Sequence, residues 1–253
     1  LTAMRRWLLT QKRTQAWEST LATADAVYAL LLDGRQLPTD ADGHTLLRLG
    51  RETLSTADAT GAGLNYVKRS YTDPHALKQT ELVVEKGSRG LSWGAVYARY
   101  ELPIDEVQTA GKGMTLERQL YVERTANGQT VLQPLTRGEE LRVGQVVVSR
   151  LVIRMDRTME FVHLKDGRAA CLEPVDVLSG YRRTSGASFY QEVKDAATHF
   201  FFDRLEKGVH LIEHRAYVAQ AGQYAAAPAT IQSMYAPEFT AHGAGMMLRV
   251  EAR

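Results

Sequence analysis

The feature that most constrains this chain is a change of hydrophobic period near Gly43. From Thr2 to about Leu32 the apolar residues recur at helical spacing. Trp7, Leu8 and Leu9 precede a polar break at Gln11 to Arg13, and a second run carries Leu21, Ala24, Val27, Tyr28 and Leu31 at intervals of three and four. Ser19-Thr20 offers this second helix an N-terminal cap, and Gly34 followed by Pro38 stops it. The pattern predicts an αα-hairpin, which is too short to fold alone.

Past Gly43 the period becomes that of strands. Thr45 to Leu54, Gly63 to Tyr71, Glu81 to Lys86 and Leu91 to Leu102 are β-rich runs punctuated by Asp, Pro and Gly. A second set begins near Met114: Thr115 to Glu123, Thr130 to Pro134, Gln145 to Met155, Phe161 to Leu164, Ala196 to Leu205, His210 to Ala219 and Met246 to Glu251. Asn127-Gly128 is the strongest hairpin signal. Strands at this spacing predict a β-sandwich. The linker Asp105 to Gly113 is the expected domain boundary, and Asp176 to Ser188, the least assignable segment, reads as a helix or a long loop. Phe200, Phe201 and Phe202 put rings on both faces of one strand, which predicts a central position.

Composition removes several function classes. With 31 Lys and Arg against 29 Asp and Glu, the charge is too balanced for a nucleic-acid or anionic-membrane surface. One cysteine, Cys171, forms no internal disulfide and builds no Cys-rich zinc site. No apolar run approaches the roughly 20 residues of a transmembrane helix. The chain opens on Leu1 in helical sequence, as expected of a piece of a longer protein.

Three spellings look catalytic. His210-x-x-Glu213-His214 has the order of a zinc-peptidase motif, which requires a helix to bring both imidazoles to one ion. Here the motif is embedded in Val209, Leu211, Ile212, Tyr217 and Val218 between glycines, a strand composition. In a strand the two imidazoles share a face about 13 Å apart, too far for one ion. They are expected to face solvent. Gly90-Leu-Ser92-Trp-Gly94 spells a nucleophile elbow, but strand-like residues follow where a helix is needed. Cys171 reads as a buried, inert thiol, although His163 and His199 are candidate neighbours. Gly111-Lys-Gly113 lacks phosphate-loop spacing and reads as linker. No catalytic, cofactor-binding or metal-binding residue is therefore nominated.

The phrases "DRTMEFVHLKDGRAACLEPVDVLSGY" (Asp156 to Tyr181), "KDAATHFFFDRLEKGVHLIEHRAYVAQAGQYAAAPATIQSMYAPEFTAHGAG" (Lys194 to Gly245) and "WGAVYARYE" (Trp93 to Glu101), with the helical "STLATADAVYALL", together resemble the C-terminal region of Bacteroidetes-type bacterial alpha-2-macroglobulin family proteins. The resemblance implies a mainly β chain in three parts. Residues 1–36 would end an α/α-toroid, the helical thioester-type domain. Residues 44–110 would be the returning half of a CUB-like β-domain, and residues 114–253 a C-terminal macroglobulin-like, receptor-binding-type β-sandwich. Independently of the resemblance, Tyr235 and Phe239 of "MYAPEF" are expected to cap one end of the core, with Glu238 on backbone amides.

By the same resemblance, the parent is a cell-envelope, periplasmic protease trap whose partners are proteases and its own other domains, and this piece makes no direct membrane contact. The family's Cys-x-Glu-Gln thioester is missing here, since Cys171-Leu-Glu-Pro departs from it. The expected role is packing, without chemistry. The competing expectation is a surface- or carbohydrate-binding module using Trp93, Tyr97 and Tyr100. A half-present CUB-like domain would also leave a strand edge for a second chain or the helices to cover.

Overall fold

The structure is a computed structural model. It describes residues 3–4, 7–8, 17, 19–31, 44–58, 67–73, 78, 81–87, 94, 96–98, 101–136, 138–184 and 186–252. The chain forms two compact units, one of Leu1–Gln11 and Glu18–Tyr100, the other of Lys12–Trp17 and Glu101–Arg253.

In the first unit, helix α1 spans Thr20–Leu31. It begins where the Ser19 hydroxyl accepts the Ala22 N–H at 3.0 Å, the cap the sequence announced. The covered face differs from expectation. Ala26 is buried and Ala22, Thr23 and Leu30 half-buried, whereas Leu21, Val27 and Tyr28 are exposed. The row of small side chains four residues apart admits close approach, and the bulky row is left outside. Strands β1 (Thr45–Leu49), β2 (Glu52–Ser55) and β3 (Leu82–Lys86) form an antiparallel sheet in the order β2-β1-β3. The run expected as one strand over Thr45 to Leu54 is a hairpin, because Gly50 at φ 60° reverses the chain. The described residues within Leu91 to Leu102 carry no strand, nor do residues 67–71. Ser92, Trp93 and Tyr100 lie outside the described residues, as does most of the link expected between the two helices.

In the second unit a 3-10 turn at Ile104–Glu106 precedes fifteen strands. These are β4 (Ala110–Gly111), β5 (Met114–Ala126), β6 (Gln129–Pro134), β7 (Glu140–Arg142), β8 (Val146–Met155), β9 (Met159–Gly167), β10 (Leu172–Pro174), β11 (Gly180–Arg183), β12 (Ser188–Val193), β13 (Ala197–Leu205), β14 (Gly208–Val218), β15 (Gly222–Ala226), β16 (Thr230–Ser233), β17 (Thr240–His242) and β18 (Met246–Glu251). The expected linker at Asp105 to Gly113 belongs to this unit, since β4 pairs with β17. The unassigned Asp176 to Ser188 contains the edge strand β11.

Three sheets result: a five-stranded one in the order β10-β14-β8-β5-β6, a seven-stranded one in the order β11-β12-β13-β9-β16-β17-β4, and a three-stranded one in the order β15-β18-β7. Asn127 and Gly128, at φ 51° and 77°, close the β5–β6 hairpin as a primed turn whose twist suits the strands. Phe161, at φ 50°, breaks the alternation of β9, so that Met159 and Val162 both face the core. Strand β13 is third in its sheet, and Phe200 and Phe202 are buried on its inner face while Phe201 lies opposite.

Alternation on the long strands fills two separate cores. One, between the five- and seven-stranded sheets, contains Leu116, Leu151, Ile153, Leu164, Phe200, Phe202 and Ile212. The other lies towards the three-stranded sheet and contains Leu120, Val122, Leu141, Val147, Val218, Leu248 and Val250. Between these cores the inward positions turn polar.

Candidate functional site

The inward row of β5 reads Met114, Leu116, Arg118, Leu120, Val122, with one guanidinium among apolar neighbours. The same interruption recurs at Ser149 between Val147 and Leu151 on β8, and at His214 between Ile212 and Ala216 on β14. Registry places Ser149 directly opposite both Leu120 and His214. From the facing sheet, β9 supplies Asp166 two residues after Leu164. All four side chains meet at the seam between the cores.

Asp166 is the hub. Its Oδ1 accepts from Arg118 Nη1 at 2.9 Å. Its Oδ2 accepts from Ser149 Oγ at 2.6 Å and from His214 Nε2 at 2.8 Å. Arg118 also donates to Gly167 O at 3.1 Å, Ala227 O at 2.7 Å and Ala226 O at 3.4 Å. That ties β5 to the segment joining β15 and β16. Burial alone would push the Asp166 carboxyl up. The His214 hydrogen bond, the charges of His214 and Arg118 and the Ser149 hydroxyl outweigh it and hold the group at about 2. A cavity of about 20 Å³ opens beside it, lined by Arg118, Arg168, Ala169, Leu172 and Ala226 among others. Its size is that of one water molecule.

Serine, aspartate and histidine together invite a hydrolase reading, but their order forbids it. In a catalytic triad the imidazole stands between hydroxyl and carboxylate and takes the hydroxyl proton. Here the carboxylate stands between the other two and binds both through one oxygen, so Ser149 donates to an anion instead of facing a base. The set is a buried electrostatic clasp.

The residues of the zinc-like spelling separate as a strand requires. Glu213 is exposed and pairs across the sheet with Arg150 at 2.5 Å. The expectation that both histidines face solvent is wrong. His210 is buried and donates from Nε2 to Glu206 O at 2.7 Å, and His214 reaches inward to Asp166. The cause is parity: His210, Ile212, His214 and Ala216 share one face, and Ile212 is core. Among the described residues no group of three or more His, Cys, Asp or Glu is arranged to hold a metal ion.

Cys171 is buried in the second core, where burial pushes its thiol up, away from the reactive thiolate. Gly113, at φ 75°, packs against Phe239, and a Cβ on Gly111 would collide with Met114 O, so Gly111-Lys-Gly113 serves a tight turn. Of "MYAPEF", Phe239 packs on the first core and Tyr235 is half exposed, edge-on to Phe161 at 5.2 Å.

The outer face of the seven-stranded sheet carries a feature the sequence reading missed. Registry aligns Tyr181, Tyr190, Phe201, His163 and Gln232 in one row across β11, β12, β13, β9 and β16. The rings pack on one another: Phe201 stacks on His163 at 4.7 Å, and Tyr181 meets Tyr190 edge-on at 5.2 Å. Tyr97, named beforehand for a ligand face, is exposed outside any strand.

Residues 113–238 match the family described as the bacterial alpha-2-macroglobulin MG10 domain. Similar solved structures include a mutant Salmonella alpha-2-macroglobulin, at 19% identity and TM-score 0.47, covering 92% of this chain and 14% of that one. Native Escherichia coli alpha-2-macroglobulin from domain MG7 to the C-terminus is 16% identical with TM-score 0.46, covering 89% of this chain and 35% of that one. The E. coli protein activated by porcine elastase is 17% identical with TM-score 0.45, covering 57% and 14%. This chain thus spans a minor part of each. No curated protein matches the sequence. Residues 113–238 thus belong to the bacterial alpha-2-macroglobulin MG10 domain family.

Proposed function

We propose that this chain is a structural and interaction part of a bacterial alpha-2-macroglobulin-like, protease-trapping protein, located in the cell envelope, with no chemistry of its own. The observation that carries the reading is the fate of its chemistry-bearing side chains. Ser149, Asp166, His214 and Arg118 are spent on joining two sheets, and Cys171 is a core residue. They lie in a segment that matches a macroglobulin domain. On this reading residues 1–36 end a helical domain, residues 44–110 form part of a CUB-like domain, and proteases are partners of the whole protein. The E. coli relatives are described as activated by elastase and by trypsin, which supports proteases as that partner class.

The test incubates the full-length parent protein with trypsin or elastase. Trapping leaves the protease active on a small chromogenic ester and inactive on a large protein substrate, with both chains in one band on a native gel. Equal loss of both activities, or unimpaired digestion of the large substrate, overturns the proposal. Carbohydrate recognition finds no comparable support: Phe201 and His163 cover one another's faces, which a sugar ring would need.

A further inference from the structure

Two imidazoles on the outer face of the seven-stranded sheet have no role in the clasp. His163 on β9 and His199 on β13 are diagonal neighbours, since His163 stands opposite Phe201 and His199 opposite Lys165. Their rings lie within 3° of parallel, and Nε2 of His163 is 2.9 Å from Nδ1 of His199. At that separation one nitrogen carries a hydrogen and the other a free lone pair. With metal–nitrogen bonds of about 2.0–2.1 Å, two donors at right angles on one ion also stand about 3 Å apart.

We propose that His163 Nε2 and His199 Nδ1 form a surface site for a divalent transition ion of the imidazole-preferring class: nickel, copper or zinc. The shared hydrogen moves to the other nitrogen of its own ring, so both imidazoles stay neutral and no proton is lost, and both rings turn outward to aim their lone pairs at the ion. Water completes the coordination, since among the described residues no third His, Cys, Asp or Glu is grouped with them to hold an ion. Carboxylate-preferring ions such as magnesium and calcium are the wrong class for two neutral nitrogens.

The surroundings favour neutral rings. Phe201 stacks on His163 at 4.7 Å. Burial, with His199 and Lys165 beside it, lowers the pKa of His163; burial and Lys165 do the same for His199. Protons therefore compete weakly for both nitrogens at neutral pH. Glu192 stands opposite His199 but is bonded to Lys194 at 2.8 Å, and Lys165 opposes any cation. These charges set a modest affinity, and the site joins β9 to β13 from the solvent side.

The experiment is a calorimetric titration of the chain with nickel chloride at pH 7.5, repeated in a second buffer to count released protons. We expect one saturable event with no net proton release, weakened about tenfold or more in His163→Gln and in His199→Gln and unchanged in His242→Gln. Far-ultraviolet circular dichroism checks that each variant is folded, and the two variants test the pair separately. Absence of saturable binding to the wild-type chain, or binding that survives both substitutions, overturns the proposal.

Discussion

Ser149 and His214, directly opposite one another on neighbouring strands, donate to the same oxygen of Asp166, at 2.6 and 2.8 Å. With Arg118 on the other carboxylate oxygen, three strands of one sheet are clasped to a strand of the next. The clasp marks where one apolar core ends and the other begins. It is the most consequential polar arrangement among the described residues.

Replacing Asp166 should therefore be severe. Asp166→Ala leaves the Arg118 guanidinium, whose side chain is 3% exposed, without its counter-charge. The expected loss is about 3–5 kcal/mol of unfolding free energy in urea. A change below about 1 kcal/mol contradicts the assigned role.

The clasp also sets an acid limit. Asp166 is held at about 2 in the folded state against 3.8 unperturbed. Its stabilisation is present above the unfolded value and is lost as pH falls from about 4 towards 2, about 2 kcal/mol in all. Unfolding midpoints across that window should slope in the wild-type chain and flatten in Asp166→Asn. Parallel slopes would assign the acid sensitivity elsewhere.

His163 and His199 act over a different range. Both are lowered, so the unfolded chain takes up their protons first, and stability falls as pH drops below about 6.5. Denaturation midpoints at pH 7.5 and 5.5 should differ more in the wild-type chain than in the double variant His163→Gln/His199→Gln. An undiminished difference in that variant points away from the pair.

Exposed and buried members of the same heptapeptide should behave oppositely. Glu213→Ala breaks a partly exposed pair with Arg150 and is expected to cost about 1 kcal/mol or less. His214→Ala removes a donor from a buried carboxylate and should cost about 2 kcal/mol or more. Equal effects would mean that the strand's facing has been misassigned.

Close packing beside the clasp gives a further check. A Cβ added at Gly167 would lie 2.6 Å from Ala227 Cβ and 3.2 Å from Ala227 O. Gly167→Ala should lower stability by about 1–3 kcal/mol by pushing apart the strand and the connection that Arg118 joins. A thermal midpoint equal to wild type would show that the connection yields freely.

Much of this fold could be read from alternation. The long strands β5, β8, β13 and β14 and the Asn127-Gly128 turn follow directly from local pattern and turn chemistry. Short strands such as β7, β10, β16 and β17 are three or four residues each and carry no period of their own; tertiary pairing makes them. The clasp was visible in principle. Arg118, Ser149 and His214 each interrupt an inward apolar row, and Asp166 follows Leu164 in the same phase. What local sequence cannot supply is the registry that brings the four interruptions to one point. The histidines of β14 were assigned the wrong side because Ile212, between them, was not used to fix the phase.

The account stands most directly on a double-mutant cycle between Asp166 and His214, with unfolding free energies measured for Asp166→Asn, His214→Ala and the double variant. A structural clasp predicts strong non-additivity, with a coupling of about 1–3 kcal/mol and a double variant little worse than Asp166→Asn alone. Additive losses, with coupling near zero, would contradict it.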